Sequence, residues 1–248
     1  MAKKIKIFVG IFSFLILILV LLSVIYFMIK NKQIVVNKML IQKDDIIGVD
    51  LSNHQGDVDM SKLKEKGIKF IYMKATEGSS HVDLQFENNW KNAKDEDILA
   101  GAYHFFSYDS SGENQANNFI KTVGDISGRL IPVVDVEYYG DKEKNPPLKE
   151  DLRRELKIYL DVLEQEYNVK PMIYTRVDIY VKYIKGEFDE YKKWISSIYY
   201  PLRYVYKDDW YLWQYTDRGL FDAYNGREKY IDLNVLNREK SLEDLIVY

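Results

Sequence analysis

Hydrophobic and polar positions divide the chain into two regimes. From residue 7 to residue 29 no position is charged and nearly all are Ile, Leu, Val or Phe. A helix of about 23 such residues, rising about 1.5 Å per residue, crosses a hydrocarbon core of about 30 Å. From Ile46 onward, short β-branched runs alternate with longer amphipathic segments. The runs predict strands over 46–51, 69–74, 99–105, 130–136 and 171–175. The intervening segments predict helices over 60–66, 84–93, 114–123, 148–167 and 179–184. The longest carries Leu152, Leu156, Tyr159, Leu160 and Leu163 on one face. Three further strands, 193–198, 210–215 and 229–233, follow without full helices between them. Five βα units and three strands predict an α/β fold, a closed or nearly closed barrel of TIM-like kind.

The apolar N-terminal run is flanked by Lys3, Lys4 and Lys6 before it and by Lys30, Lys32 and Lys38 after it. A cleaved secretory signal would have a shorter apolar core and a small-x-small cleavage site. After Ser23 the chain runs Val-Ile-Tyr-Phe-Met, which offers none, so an uncleaved anchor is favoured. The expected organisation is a cytoplasmic tail and transmembrane helix over 1–29, a stalk over 30–45 and a barrel over 46–248. Lysines on both flanks give little orientation signal, but the short N-terminal tail, with everything else beyond the span, favours N-in and C-out, with the barrel outside the cytoplasmic membrane. With no cysteine there is no disulfide, thiolate metal site or lipoprotein anchor. A net charge of −3 without a basic cluster beyond the anchor gives no sign of a nucleic-acid partner.

Barrel enzymes carry their chemistry at the C-terminal ends of the strands. Four acidic residues fall at or near such ends: Asp50, Asp135, Glu137 and Asp232. Asp135 and Glu137 share a strand face, with Cα atoms roughly 6–7 Å apart. Acidic residues often end strands as solvated turn formers. These two instead close the apolar run Leu130-Ile-Pro-Val-Val, where a pair of buried carboxylates is costly unless it serves chemistry. Such a pair suits glycosidic-bond hydrolysis, one group protonating the leaving oxygen while another stabilises positive charge at the anomeric carbon. Crowding by Asp50, Asp135 and Asp232 would hold one member protonated, and Glu137 is the candidate acid.

Tyrosine occurs 21 times, and Tyr103, Tyr174, Trp213 and Tyr215 lie in predicted strands. Aromatic faces there stack on sugar rings or fill the core, and the pattern alone leaves both open. His54, His81 and His104 lack paired ligand spacing, which disfavours zinc. A divalent ion on Asp50, Asp135 and Asp232 is disfavoured because Gly-rich carboxylate loops are missing. No cofactor or metal is expected.

The motifs Asp50-Leu-Ser-Asn-His-Gln-Gly56, Lys74-Ala-Thr-Glu-Gly78, Gly101-Ala-Tyr-His-Phe105, Gln115-Ala-x-x-Phe119, Asp135-x-Glu137, Tyr174-Thr175, Trp213-Gln-Tyr-Thr216 and Asp232-Leu-Asn234 occur in this order. Together they resemble glycoside hydrolase family 25, the Chalaropsis-type lysozymes, over essentially all of residues 46–240. The resemblance implies an incomplete (β/α)5β3 barrel that cleaves the β-1,4 bond between N-acetylmuramic acid and N-acetylglucosamine in peptidoglycan. It implies Glu137 as general acid and Asp135 as the group that orients the substrate acetamido. Asp50 and Asp232 would complete the acidic pocket. Tyr103, Tyr174 and Trp213 would shape sugar subsites, with Glu77 a further candidate. Two departures concern outer subsites: His81 stands where the family has a large aromatic or Leu, and 193–201 replaces a more usual Trp-Ile-Ala-x-Tyr. The rival readings are a catalytically idle, membrane-tethered glycan-binding module, and the same chemistry on another N-acetylated polysaccharide such as chitin.

Overall fold

A computed structural model describes residues 2–31 and 33–248, and the side chains from residue 5 onward within that range. Lys32 and the side chains of Lys3 and Lys4, named above as anchor flanks, lie outside the described residues. Nine strands form one sheet: β1 Ile47–Leu51, β2 Ile68–Glu77, β3 His81–Val82, β4 Leu99–Phe105, β5 Val133–Val136, β6 Met172–Arg176, β7 Lys192–Ser196, β8 Leu212–Gly219 and β9 Ile231–Leu236. Their order is β1-β9-β8-β7-β6-β5-β4-β2-β3, and β1 also pairs with β2, which closes eight strands into a barrel. The two-residue β3 hangs from the end of β2. Barrel neighbours among β1, β2 and β4 to β8 are parallel, whereas β9 runs antiparallel to both β8 and β1, and the short β3 antiparallel to β2.

Helices separate the parallel strands as the periodicity requires. They are α1 Ala2–Lys30, α2 Met60–Glu65, α3 Phe86–Asp95, α4 Gly112–Val123 and α5 Lys149–Tyr167. Asp59 caps α2 by accepting from the Lys62 amide at 3.0 Å, and Ser111 caps α4 through the Asn114 amide at 3.3 Å. Helix α5 buries the Leu152, Leu156, Tyr159, Leu160 and Leu163 stripe and ends at Asn168 in the left-handed conformation. The fifth crossover is a short helix at Val177–Ile179 continued by one wide turn over Tyr180–Ile184. Only a four-residue helical turn, Leu202–Val205, stands between β7 and β8. The observed architecture is the expected five βα units followed by three strands.

Period-two alternation decides what the barrel encloses. Below the mouth, Tyr72 and Trp194 fill the interior with ring centroids 5.1 Å apart, and Phe70 meets Tyr72 edge-on. Gly101 faces this plug, and a Cβ there would collide with the Tyr72 ring.

Helix α1 contains an apolar segment, Ile5–Lys30, long and apolar enough to cross a membrane, with exposed side chains along its length. The segment after it docks on the barrel. Asn37 is fully buried and donates both amide protons to backbone, to Ser197 O at 2.8 Å and Tyr215 O at 3.0 Å. Lys38 reaches Arg218 O, and Arg238 grips Asp45 with two hydrogen bonds of 2.6 and 2.9 Å. Residues 34–45 therefore form a strap along the outside of β8, beginning near its C-terminal half and ending beneath the barrel.

Candidate active site

At the C-terminal ends of the strands lies a cavity of about 210 Å³. The inward-facing positions supply it: Asp50 from β1, Lys74 from β2, Tyr103 and Phe105 from β4, Asp135 from β5 and Glu137 just beyond it. Tyr174 from β6, Trp194 from β7, Gln214 from β8 and Asp232 from β9 complete the ring. Asp50 and Asp232 are direct register partners across the β1–β9 pair, and Asp135 is partner to Tyr174 across β5–β6. All four acidic residues expected at the site converge on one mouth.

Their environments differ. Asp50 accepts from Asn234 Nδ2 at 2.7 Å and Gln214 Nε2 at 3.2 Å. Burial raises its pKa against these donors, and burial together with the neighbouring Asp50 charge pushes Asp232 well up. The two carboxyls face each other across the register pair, and each is pushed up, so the pair holds a proton between them. Asp135 is buried, and its Oδ1 has no hydrogen-bond partner among the described residues. Burial, then the adjacent Glu137 charge, pushes Asp135 well above the carboxylate range, with Lys74 opposing. This buried carboxyl oxygen faces the cavity free of protein partners, so it can accept from a donor that enters there.

Glu137 is pushed up to about 7 by burial, opposed chiefly by the Arg176 charge and reinforced by Asp50 and Asp178. Its backbone is fixed from two sides. The Tyr108 hydroxyl donates to Glu137 O at 2.7 Å, and Thr175 Oγ1 donates to the preceding carbonyl, Val136 O, at 2.8 Å. The Tyr108 amide in turn donates to Tyr139 Oη at 2.8 Å, and the two rings stack at 5.3 Å. The Tyr174 hydroxyl lies between Gln214 Oε1, at 3.0 Å, and the Glu137 carboxyl.

The aromatic expectations divide. Tyr103 and Tyr174 line the cavity. Trp213 does not reach it: its indole donates to Ser197 O at 3.1 Å and it lines a groove of about 510 Å³ beside the strap. The reason is strand parity, because its neighbour Gln214 takes the inward position. Trp194, in a run whose pattern alone does not mark it as a site residue, occupies the inner wall, its ring centroid 4.7 Å from that of Tyr174. Glu77 ends β2 half-exposed and binds Lys74 Nζ at 2.6 Å; the lysine, not the glutamate, faces the cavity. His104 lies below the site, buried between Thr76 and Gln115, and burial lowers it to about 4, so it is neutral. The observed Asn234 and Gln214 contacts to Asp50 were also not anticipated.

A barrel with desolvated carboxyls at the strand ends and an aromatic inner wall has the form of a glycoside hydrolase. The model of glycosyl hydrolases family 25 matches residues 49–223, and the chain belongs to that family. It is 34% identical over 197 residues to the uncharacterised protein YegX of Escherichia coli, covering 77% of this chain and 70% of YegX. A family 25 glycosyl hydrolase structure from Bacillus anthracis is 42% identical, with a TM-score of 0.71 over 80% of this chain and 94% of the other. A bacterial lysozyme from Streptomyces coelicolor is 26% identical, with a TM-score of 0.70, over 82% of this chain and 96% of that one.

Proposed function

We propose that this glycosidase is a lysozyme of the 1,4-β-N-acetylmuramidase type, cutting peptidoglycan glycan strands between N-acetylmuramic acid and N-acetylglucosamine. Glu137 acts as the general acid. The single observation that carries this role is its desolvated carboxyl, poised at about 7 on a doubly fixed backbone. It donates its proton to the glycosidic oxygen as the C1–O bond breaks. The free Oδ1 of Asp135 accepts the N–H of the substrate acetamido group and turns its carbonyl oxygen towards C1. That oxygen bonds to C1 from the opposite face. Water then opens the ring, its proton passing to Glu137, and configuration is retained. The Asp50–Asp232 pair, one proton shared between its two carboxyls, adds a single negative charge beneath the developing positive charge, while Tyr103, Tyr174 and Trp194 border the bound sugar.

In the same reading, residues 1–29 anchor the protein in the cytoplasmic membrane, 30–45 connect, and the barrel of 46–248 works outside. The similarity to a lysozyme supports peptidoglycan as substrate. Digestion of purified peptidoglycan followed by mass analysis of the fragments tests it, because the new reducing sugar identifies the bond cut. N-acetylmuramic acid at the new reducing end is expected. Reducing N-acetylglucosamine, or turnover undiminished in Glu137→Gln, would overturn the assignment.

A further inference from the structure

The strap begins where the apolar helix ends, and a second surface adjoins that point. Ile29, at the end of α1, and residues 34–36 border a small gap whose other wall is Ile198, Tyr199, Thr216 and Asp217. The loop from Ile198 to Tyr211 runs on from this wall down the outside of the barrel. At its start it exposes large side chains: Tyr200 is 63% exposed, Tyr204 62% and Val205 38%. Interleaved with them are Arg203 and Lys207, both exposed. Neither has a carboxylate partner among the described residues. Arg203 lies over the Tyr204 ring, and Lys207 reaches only Arg203 O. The acids of the same loop are already neutralised from elsewhere, Asp208 by Lys185 and Asp209 by Lys240, each at 2.9 Å.

Tyrosines with a polar tip and an apolar ring favour the headgroup level of a bilayer, and unpaired basic side chains beside a span are attracted to anionic lipid. We propose that the Tyr200–Lys207 surface rests on anionic phospholipid of the membrane that α1 spans, seating the barrel against the bilayer. The occupant follows from position and charge together. The surface continues, along the same loop, from the Ile198–Tyr199 wall that borders the end of α1, and its exposed side chains Arg203 and Lys207 make it net positive. This rests on the reading of α1 as a membrane span. The tight strap, held by Asn37 and by the Arg238–Asp45 pair, leaves the barrel little freedom to swing away.

The chain has no cysteine, so Tyr204→Cys in the full-length protein gives one site for a polarity-sensitive fluorophore. Lys121→Cys, exposed on α4 and away from β8 around the barrel, gives a reference site. Both are reconstituted in vesicles of phosphatidylcholine with phosphatidylglycerol that carry a headgroup-level quencher. The expected result is strong quenching at residue 204 and little at 121. Replacing Arg203→Glu and Lys207→Glu together lowers the seated fraction about tenfold, at a few-fold per charge. Hydrolysis of soluble glycan fragments stays unchanged. Equal quenching at the two sites in protein that floats with the vesicles overturns the seating while leaving the anchor intact. Protein that fails to float overturns both.

Discussion

Asn234 bridges two walls of the site: its Nδ2 donates to Asp50 at 2.7 Å while its Oδ1 accepts the Trp194 indole proton at 2.9 Å. One fully buried amide thus orients a carboxylate and an aromatic wall at once. Asn234→Leu strips a donor from Asp50 and leaves the indole N–H unsatisfied. A loss of about 2–3 kcal/mol in urea unfolding is expected, together with reduced turnover. Wild-type stability in that variant would show that the bridge contributes nothing.

The acid role proposed for Glu137 fixes the direction of the expected pH response. The group works protonated and its pKa lies at about 7, so kcat/KM falls about tenfold per pH unit above that point. Arg176 lowers this pKa, and Arg176→Gln is therefore expected to move the alkaline limb upward. A rate profile on soluble fragments reads both effects.

Stability responds with a sign that can be worked out. The folded pKa of about 7 exceeds the ordinary 4.5, so between these values the folded state binds more protons than the unfolded chain. Stability from this group therefore falls as pH rises through that window. Glu137→Gln removes the penalty. About 1–3 kcal/mol of added stability is expected at pH about 8 and none near pH 4, by paired denaturation curves. An inactive but less stable variant at alkaline pH would contradict the burial argument.

Tyr108 bonds to Glu137, the proposed acid, through its backbone carbonyl. Tyr108→Phe loses the 2.7 Å hydrogen bond to Glu137 O while keeping the ring in its stack on Tyr139. About 1 kcal/mol of positioning corresponds to a several-fold drop in kcat, with KM close to wild type. A change confined to KM would place Tyr108 in sugar binding instead.

The strap has its own probe. Asn37→Ala removes two hydrogen bonds to otherwise internal carbonyls, Ser197 O and Tyr215 O. Faster limited proteolysis between residues 33 and 45 is expected, with turnover on soluble fragments retained. Unchanged cleavage would mean that the Lys38 and Arg238 contacts hold the strap without Asn37.

Much of this was legible in residue spacing. The α5 stripe and the β-branched runs are local patterns, and the structure keeps them nearly in place. The convergence of Asp50, Asp135 and Glu137 followed from the rule that barrel sites gather at C-terminal strand ends, whereas Asp232 reaches the mouth from the start of β9 because that strand runs antiparallel. The misplacement of Trp213 shows where reading by residue type fails. Within Leu212-Trp-Gln, alternation puts Leu212 and Gln214 on one face and Trp213 on the other, but only the pairing of β8 with β7 and β9 says which face looks inward. Trp194 was hidden for the same reason. The strap was not legible at all, because Asn37 is buried by contacts with residues 160 and 178 positions away.

Closure of the barrel through β9 has a consequence for the order of events during synthesis. Asp50 belongs to the first barrel strand, and its donor Asn234 lies 184 residues later, on the last. Until β9 inserts between β1 and β8, Asp50 lacks Asn234, Asp232 is absent and two strand edges stand open. The acidic mouth is therefore incomplete in any nascent chain that still lacks its last strand, however much of the barrel has already been made.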